Sequence, residues 1–363
     1  MLTDILSIFS RNADSISDIN HALLIDNTVD KGTLRLASIK GECLLLFSCD
    51  QPDQWKGLFK CIIDGAKLLP LLHNNERLDF FQSDQQLEIK TSTSDYGIGC
   101  LHTSFFPKIS YKGFDKCFTV SSTALSNILS RGSFFGDASD FLSYTRHCHL
   151  TIREREITIE STNRHYLGKD LLHLPEGSLS DENWVINIHD AGLVSHCLQN
   201  LSGKAEVSSN GTHICISVNG FKLFVPLRET KFPSTSDFFA TDNPISISVE
   251  REALIRSLKR IRPYSDDENP SVDFSISDNL LLLESENTYC QLSAEESILI
   301  DSGGFSFSIR LSIPLLLDIL CSFKGSSVEI RFNRDTSFVQ FYSSSDLLKC
   351  ILMPILKSKL VSR

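Results

Sequence analysis

The chain has 363 residues, 41% of them hydrophobic and 22% charged, an ordinary globular composition with enough apolar material for two or three domains. A formal net charge of −10 excludes indiscriminate coating of nucleic acid, so any phosphate contact must come from a local basic surface on an acidic body. Eleven cysteines, never spaced C-x-x-C, and an opening Met-Leu-Thr-Asp without a basic n-region point to a reducing, cytoplasmic setting, and no apolar run reaches the ~20 residues of a membrane span.

Residues 2–11 read as a short amphipathic helix, followed by strand-like runs at 21–26, 33–39, 42–48 and 57–63. A helix-like stretch at 64–73 carries Pro70, and strands at 78–82, 86–91 and 96–102 end at Phe106-Pro107. The same order then recurs. Helix 121–131 places Leu125, Ile128 and Leu129 on one side, and strands follow at 148–153, 156–161, 166–172 and 184–188. Helix 189–201 sets Leu193, Cys197 and Leu201 at i, i+4, i+8, and strands at 204–208, 213–218 and 222–227 lead to Phe232-Pro233. The two Phe-Pro pairs lie 232 − 106 = 126 residues apart.

A third copy opens with residues 249–262, which stop at Pro263. Leu254, Leu258 and Ile261 form an apolar stripe at helical spacing, whereas Arg256, Lys259 and Arg260 fall on the opposite face. Glu250 and Glu252 sit in the first turn and the cations gather in the last, as the helix dipole favours. Strands are expected at 271–277, 279–285, 288–294 and 305–309, a helix at 313–323, and closing strands at 328–332, 338–342 and 347–353.

The repeat divides the chain into modules 1–115, 116–243 and 244–363, with polar linkers near 109–116 and 234–243. The expected class is α+β, each module carrying two amphipathic helices packed on antiparallel sheets. Three such modules make a crescent, and two crescents would close a ring.

With that repeat in place, three segments resemble the bacterial sliding clamp, the beta subunit of DNA polymerase III. They are Glu160-Ser-Thr-Asn-Arg-His-Tyr-Leu167, Lys231-Phe-Pro233 and Ile351-Leu-Met-Pro-Ile-Leu356. The resemblance implies a head-to-tail homodimer around duplex DNA, read without regard to base sequence, and a groove for short apolar peptides of a polymerase and of the clamp loader. Carried over by position, that groove is Thr162, His165, Tyr166, Leu167, Pro233, Phe238, Thr336 and Phe338, with the tail Ile351, Leu352, Met353, Pro354, Ile355 and Leu356. Against the family pattern, Arg164 stands where glycine is usual and Tyr166 where arginine is usual, so the groove rim is recut. The edges around Tyr96–Ile98 and Pro263–Tyr264 also look altered, and a basic tail runs past Leu356.

A ring holds DNA by topology, so its inner face needs only loose, salt-sensitive phosphate attraction from cations on long stems. The candidates are Arg256, Lys259 and Arg260, with Arg11, Lys67, Arg131, Lys204 and Lys324 beside them, each of which also fits an ordinary solvated cation. The tail Ile351–Leu356 equally fits a core strand that Pro354 ends. His147 and His149 share a strand face as a zinc half-site would, but no second ligand pair stands at metal spacing. No phosphate loop, zinc-protease or EF-hand motif occurs, and no cofactor is expected. The acidic run 265–269 reads as a surface turn. Three functions follow in order: a non-catalytic processivity clamp, a clamp-like adaptor that forms no ring, and a hydrolase using His165.

Overall fold

A computed structural model describes residues 14–15, 19, 21–28, 32–53, 55–72, 77–106, 112–240, 243, 245–277, 279–300, 306–332 and 338–355. The expected opening helix at 2–11 lies outside them. No helix among the described residues is long and apolar enough to cross a membrane.

The chain forms two compact units. The first joins Met1–Ser130, Ile152–Glu156 and His173–Glu229, and the second joins Arg131–Thr151, Ile157–Leu172 and Thr230–Arg363. In the first, a twelve-stranded sheet runs from Trp55–Lys56 at one edge to Asp115–Ser121 at the other. In its middle, strand Cys43–Asp50 pairs antiparallel with Phe221–Pro226, Phe47 facing Phe221. The second unit shows the same device, because Tyr166–His173 pairs with the last strand, Lys349–Leu352. A four-stranded sheet, Leu292–Leu299, Leu280–Asn287, Ser271–Ser277 and Phe307–Ser312 in spatial order, belongs to that unit as well. Backbone pairing within each unit thus joins strands far apart in sequence.

The helices are α1 (Gly65–Leu68), α2 (Ser122–Phe134), α3 (Ile188–Gln199), α4 (Ser236–Ala240), α5 (Arg251–Ile261) and α6 (Ile313–Ser322). The helix expected at 64–73 is one α-turn followed by a 3-10 turn, Leu69–Leu72. Pro70 has no N–H to continue the i−4 ladder. Helices α2 and α3 approach through small residues: Ser126 Oγ donates to the Ser195 carbonyl at 2.8 Å, and Ser195 Oγ donates to the Ser126 carbonyl at 2.8 Å. This reciprocal pair satisfies two hydroxyls inside the packed layer.

Helix α5 buries the expected stripe completely: Leu254, Leu258 and Ile261 are each 0% exposed, in a core that includes Leu316, Leu320 and Phe332. Each such side chain contributes about 1.5–3 kcal/mol on burial. The helix begins two residues later than the sequence suggests. Val249 belongs to strand Ile245–Glu250, whose alternation buries Ile245, Ile247 and Val249, and Glu250 caps the helix. Its carboxylate accepts the backbone N–H groups of Glu252 at 3.2 Å and Ala253 at 2.6 Å. Replacing Glu250 with alanine is expected to cost about 1 kcal/mol, since those donors face water again. A thermal melt showing no loss would exclude the cap.

The strand expected at 288–294 lies further on, at Leu292–Leu299, paired with Leu280–Asn287 so that Leu283 faces Glu296. The turn between them contains no glycine, and Gln291 takes the left-handed conformation at φ 55°. Without a glycine to mark it, the turn leaves no trace in the residue pattern.

A candidate peptide groove and basic helix face

An open groove of about 300 Å³ lies wholly within the second unit. One wall is the pairing of strand Tyr166–His173 with the chain's last described strand, Leu167 opposite Ile351 and Tyr166 opposite Leu352. The pairing continues one step past the strand, where Met353 N–H donates to the His165 carbonyl at 2.8 Å. Pro354 has no donor, and the next N–H, of Ile355, bonds the Arg310 carbonyl at 2.9 Å. The opposite wall is the segment from Pro233 through α4. Gln340 Nε2 donates to the Phe238 carbonyl at 2.7 Å, and the Phe238 ring stands edge-on to Phe338 with centroids 5.5 Å apart. Leu167, Phe338 and Ile351 form a small buried floor with Phe239 against it.

Glu160 pins this wall from beneath. It accepts a short hydrogen bond from Thr235 and pairs with Lys169 Nζ at 2.9 Å, while the His149 ring lies 3.8 Å away. Burial alone would raise the Glu160 carboxyl, but bonds from His149, Thr235 and Lys169 outweigh it and hold the pKa at about 2. Lys169 also lies 5.5 Å over the Phe239 ring, and His149 stacks on Phe232 at 5.4 Å. The Phe-Pro segment is therefore fixed by a buried charged cluster, which keeps the apolar wall in place before any ligand arrives.

Residues 237–355 match the family model of the DNA polymerase III beta subunit, C-terminal domain. A beta sliding clamp of Pseudomonas aeruginosa is 20% identical over 259 residues, 71% of this chain and 70% of that protein. One from Mycoplasma genitalium is 26% identical over 153 residues, 42% of this chain and 40% of that protein. The solved DNA polymerase III subunit beta of P. aeruginosa superposes with TM-score 0.89 at 18% identity, covering 98% of both chains. The chain has the fold of the bacterial sliding clamps, and residues 237–355 match their C-terminal domain. A P. aeruginosa clamp bound to griselimycin has the same fold, at TM-score 0.88 and 19% identity over 98% of this chain and 97% of that one.

Of the groove residues expected from the sequence, the structure brings together Thr162, Tyr166, Leu167, Pro233, Phe238, Ile351 and Met353 along the lining. Phe338 lies behind them in the floor. Leu352 is a correction: it is 0% exposed in the main core, because alternation along the strand turns Ile351 and Met353 to the groove and Leu352 away. His165 is also corrected. Its side chain is outside the lining, and only its carbonyl takes part, by holding Met353. Pro354 and Ile355 lie past the lining, and Thr336 and Leu356 fall outside the described residues. Tyr144, Arg164, Ser234 and Thr235 complete the lining. Tyr144 comes from a 3-10 turn, Ser143–Arg146, that nothing in its own stretch of sequence connects to the groove.

The basic candidates divide sharply by their partners. On α5, Arg256 is 62% exposed with only a loose 3.5 Å approach to Glu250, and Lys259 is exposed without an ion pair among the described residues. Arg260, on the same face, is corrected: its Nε and Nη2 grip Glu296 at 2.7 and 2.6 Å, so its charge is already matched. That bidentate contact raises the Arg260 pKa and lowers that of Glu296. Arg131 is corrected more strongly, being half-buried and clasped between Asp170 and Asp346. Lys67 in α1 is exposed, Lys204 is 80% exposed 3.7 Å from Glu176, and Lys324 is exposed just beyond α6. Arg11 falls outside the described residues.

The imidazoles of the His147/His149 pair are both engaged, Nδ1 of His147 by the Ser143 carbonyl and His149 by Phe232 and Glu160. No group of three potential metal ligands occurs among the described residues. In the acidic run, Asp266 Oδ1 accepts the N–H groups of Glu268 and Asn269 at 2.9 and 2.8 Å, which makes it a local turn.

Proposed function

We propose that the chain works as a processivity clamp: two copies, head to tail, encircle duplex DNA and hold a polymerase by an apolar peptide seated between Leu167, Phe238 and Met353. The observation that carries this reading is the groove itself, apolar and already formed, in a chain of sliding-clamp fold. Each copy supplies the modules 1–115, 116–243 and 244–363. The role is one of binding without catalysis, and we place it in the cytoplasm with a clamp loader opening the ring.

The test is topological. Protein loaded on nicked circular DNA should be retained and should be lost when the circle is cut, and its mass in solution should be that of two chains. A stable monomer that still binds apolar peptides would favour the adaptor reading. Equal retention on circular and linear DNA would remove the ring altogether.

Phosphate attraction by α5 rests on Arg256 and Lys259. Replacing both with glutamine is expected to reduce the salt dependence of duplex binding by about one unit of slope per cation. Because both side chains are exposed on the helix face opposite Leu254 and Leu258, stability should stay within about 0.5 kcal/mol of the parent. Arg260→Gln should change the salt slope less, since Glu296 already neutralises that side chain.

A further inference from the structure

We infer that Arg164 is a specificity-determining residue, which makes the groove prefer a partner peptide bearing a carboxylate beside its apolar anchors. The inference rests on the peptide-groove reading above and concerns which peptides enter.

Arg164 lines the groove at the turn between strands Glu156–Thr162 and Tyr166–His173. That turn is held rigidly. Thr162 Oγ1 donates to the Tyr166 carbonyl at 2.6 Å and accepts Arg164 N–H at 3.0 Å. Asn163 Oδ1 accepts the N–H groups of His165 and Tyr166, both at 3.0 Å. The geometry forces Arg164 to φ 77°, in the left-handed region that glycine occupies freely and a long side chain occupies at a cost. An arginine held in a glycine conformation at the lip of a binding groove is strain placed where a ligand arrives.

The guanidinium has two neighbours, an acid and an aromatic ring. Its Nε pairs at 2.9 Å with Asp140, whose carboxylate is only 3% exposed, and its plane lies 5.5 Å from the Phe141 ring, which is 79% exposed. The contact with Asp140 is one of charge rather than an aligned hydrogen bond, because Asp140 Oδ2 has no hydrogen-bond partner among the described residues. The two Nη groups have no hydrogen bond among the described residues, and the side chain is 44% exposed. Asp137 is the second acid in its neighbourhood, and its Oδ1 is occupied by Ser139 N and Oγ at 2.9 and 2.7 Å. What remains open is the Nη edge, the geometry that takes a carboxylate through two parallel N–H bonds. The other lining residues are apolar or neutral, so this edge is the cation a bound peptide meets in the groove.

The probe is a fluorescent, end-capped hexapeptide with two leucines and one phenylalanine, otherwise neutral, together with versions carrying a single aspartate or asparagine at each non-anchor position. At 50 mM salt the full chain should bind one aspartate version about fivefold to tenfold more tightly than its asparagine counterpart. Arg164→Gly and Arg164→Gln should both abolish that ratio, bringing the aspartate and asparagine versions to equal affinity. The glycine variant suits φ 77°, so it keeps the turn, and a melting temperature at or above the parent's would document that. If no aspartate version is preferred, or if both variants weaken the aspartate and asparagine versions equally, Arg164 is a structural pin for Asp140 and the inference falls. If the variants lose duplex retention while peptide ratios hold, Arg164 faces a phosphate instead and the inference also falls. Failure of the neutral peptide to bind the parent chain would instead overturn the groove reading.

Discussion

Arg131→Ala is expected to lower the stability of the chain by about 3–5 kcal/mol, because it strands two buried carboxylates. Nη1 of Arg131 bonds Asp170 Oδ2 at 2.9 Å and Asp346 Oδ1 at 2.7 Å, and Nη2 bonds Asp346 Oδ2 at 2.7 Å. The acid side chains are 7% and 6% exposed and the arginine 17%, so water cannot take over the lost bonds. The three residues lie far apart in sequence: the end of α2, strand Tyr166–His173, and the turn before the last strand. Breaking the cluster therefore loosens the pairing that forms the groove wall.

The effect has a defined pH dependence. Burial alone would raise the Asp346 carboxyl, but the Arg131 bonds and charge, with the N–H groups of Lys324 and Leu348, outweigh it and hold its pKa below the ordinary carboxylate value. A depressed folded-state pKa contributes stability that is fully present above the unfolded value, about pH 4, and is lost as pH falls through the folded value. The difference between parent and variant should accordingly be widest near neutrality and narrow in acid. Urea unfolding at pH 7 and pH 3 checks this, with an unchanged slope marking a true stability loss. A midpoint that does not move at pH 7 would show that the carboxylates find other partners. Arg131→Lys should fall between, since one ammonium cannot reproduce the fork.

Phe238→Ala is expected to weaken binding of an apolar peptide by about 2 kcal/mol or more, roughly thirtyfold, while leaving the fold intact. The ring is 37% exposed and meets Phe338 edge-on, so it presents an aromatic face to the groove without belonging to the main core. Its backbone is fixed independently through Gln340, so truncation removes the wall without freeing the helix. Titration calorimetry with the neutral hexapeptide gives the affinity, and a melt gives the stability. Unchanged affinity would exclude Phe238 as an anchor and move the peptide off this wall.

Much of the architecture was legible along the chain because local patterns carry it. The stripe Leu254, Leu258, Ile261 is buried as helical spacing requires, and strands such as Glu156–Thr162 and His213–Val218 fall where the residue pattern places them. The groove was legible only through three short segments, and alternation within the last of them decided what the resemblance left open: Ile351 and Met353 line it, while Leu352 fills the core. Arg131 and Arg260 read as free cations in one dimension because their partners, Asp346 and Glu296, lie 215 and 36 residues away.

The sequence by itself determined the α+β class and the apolar stripes of α2 and α5, since these depend on periods of two and 3.6 residues. Only the tertiary structure decided which cations remain available, which tail residues face the groove, and that Tyr144 and Arg164 complete its rim. The physical reason is that charge neutralisation and pocket formation depend on the contacts made when distant segments pack, and no local spacing encodes those contacts.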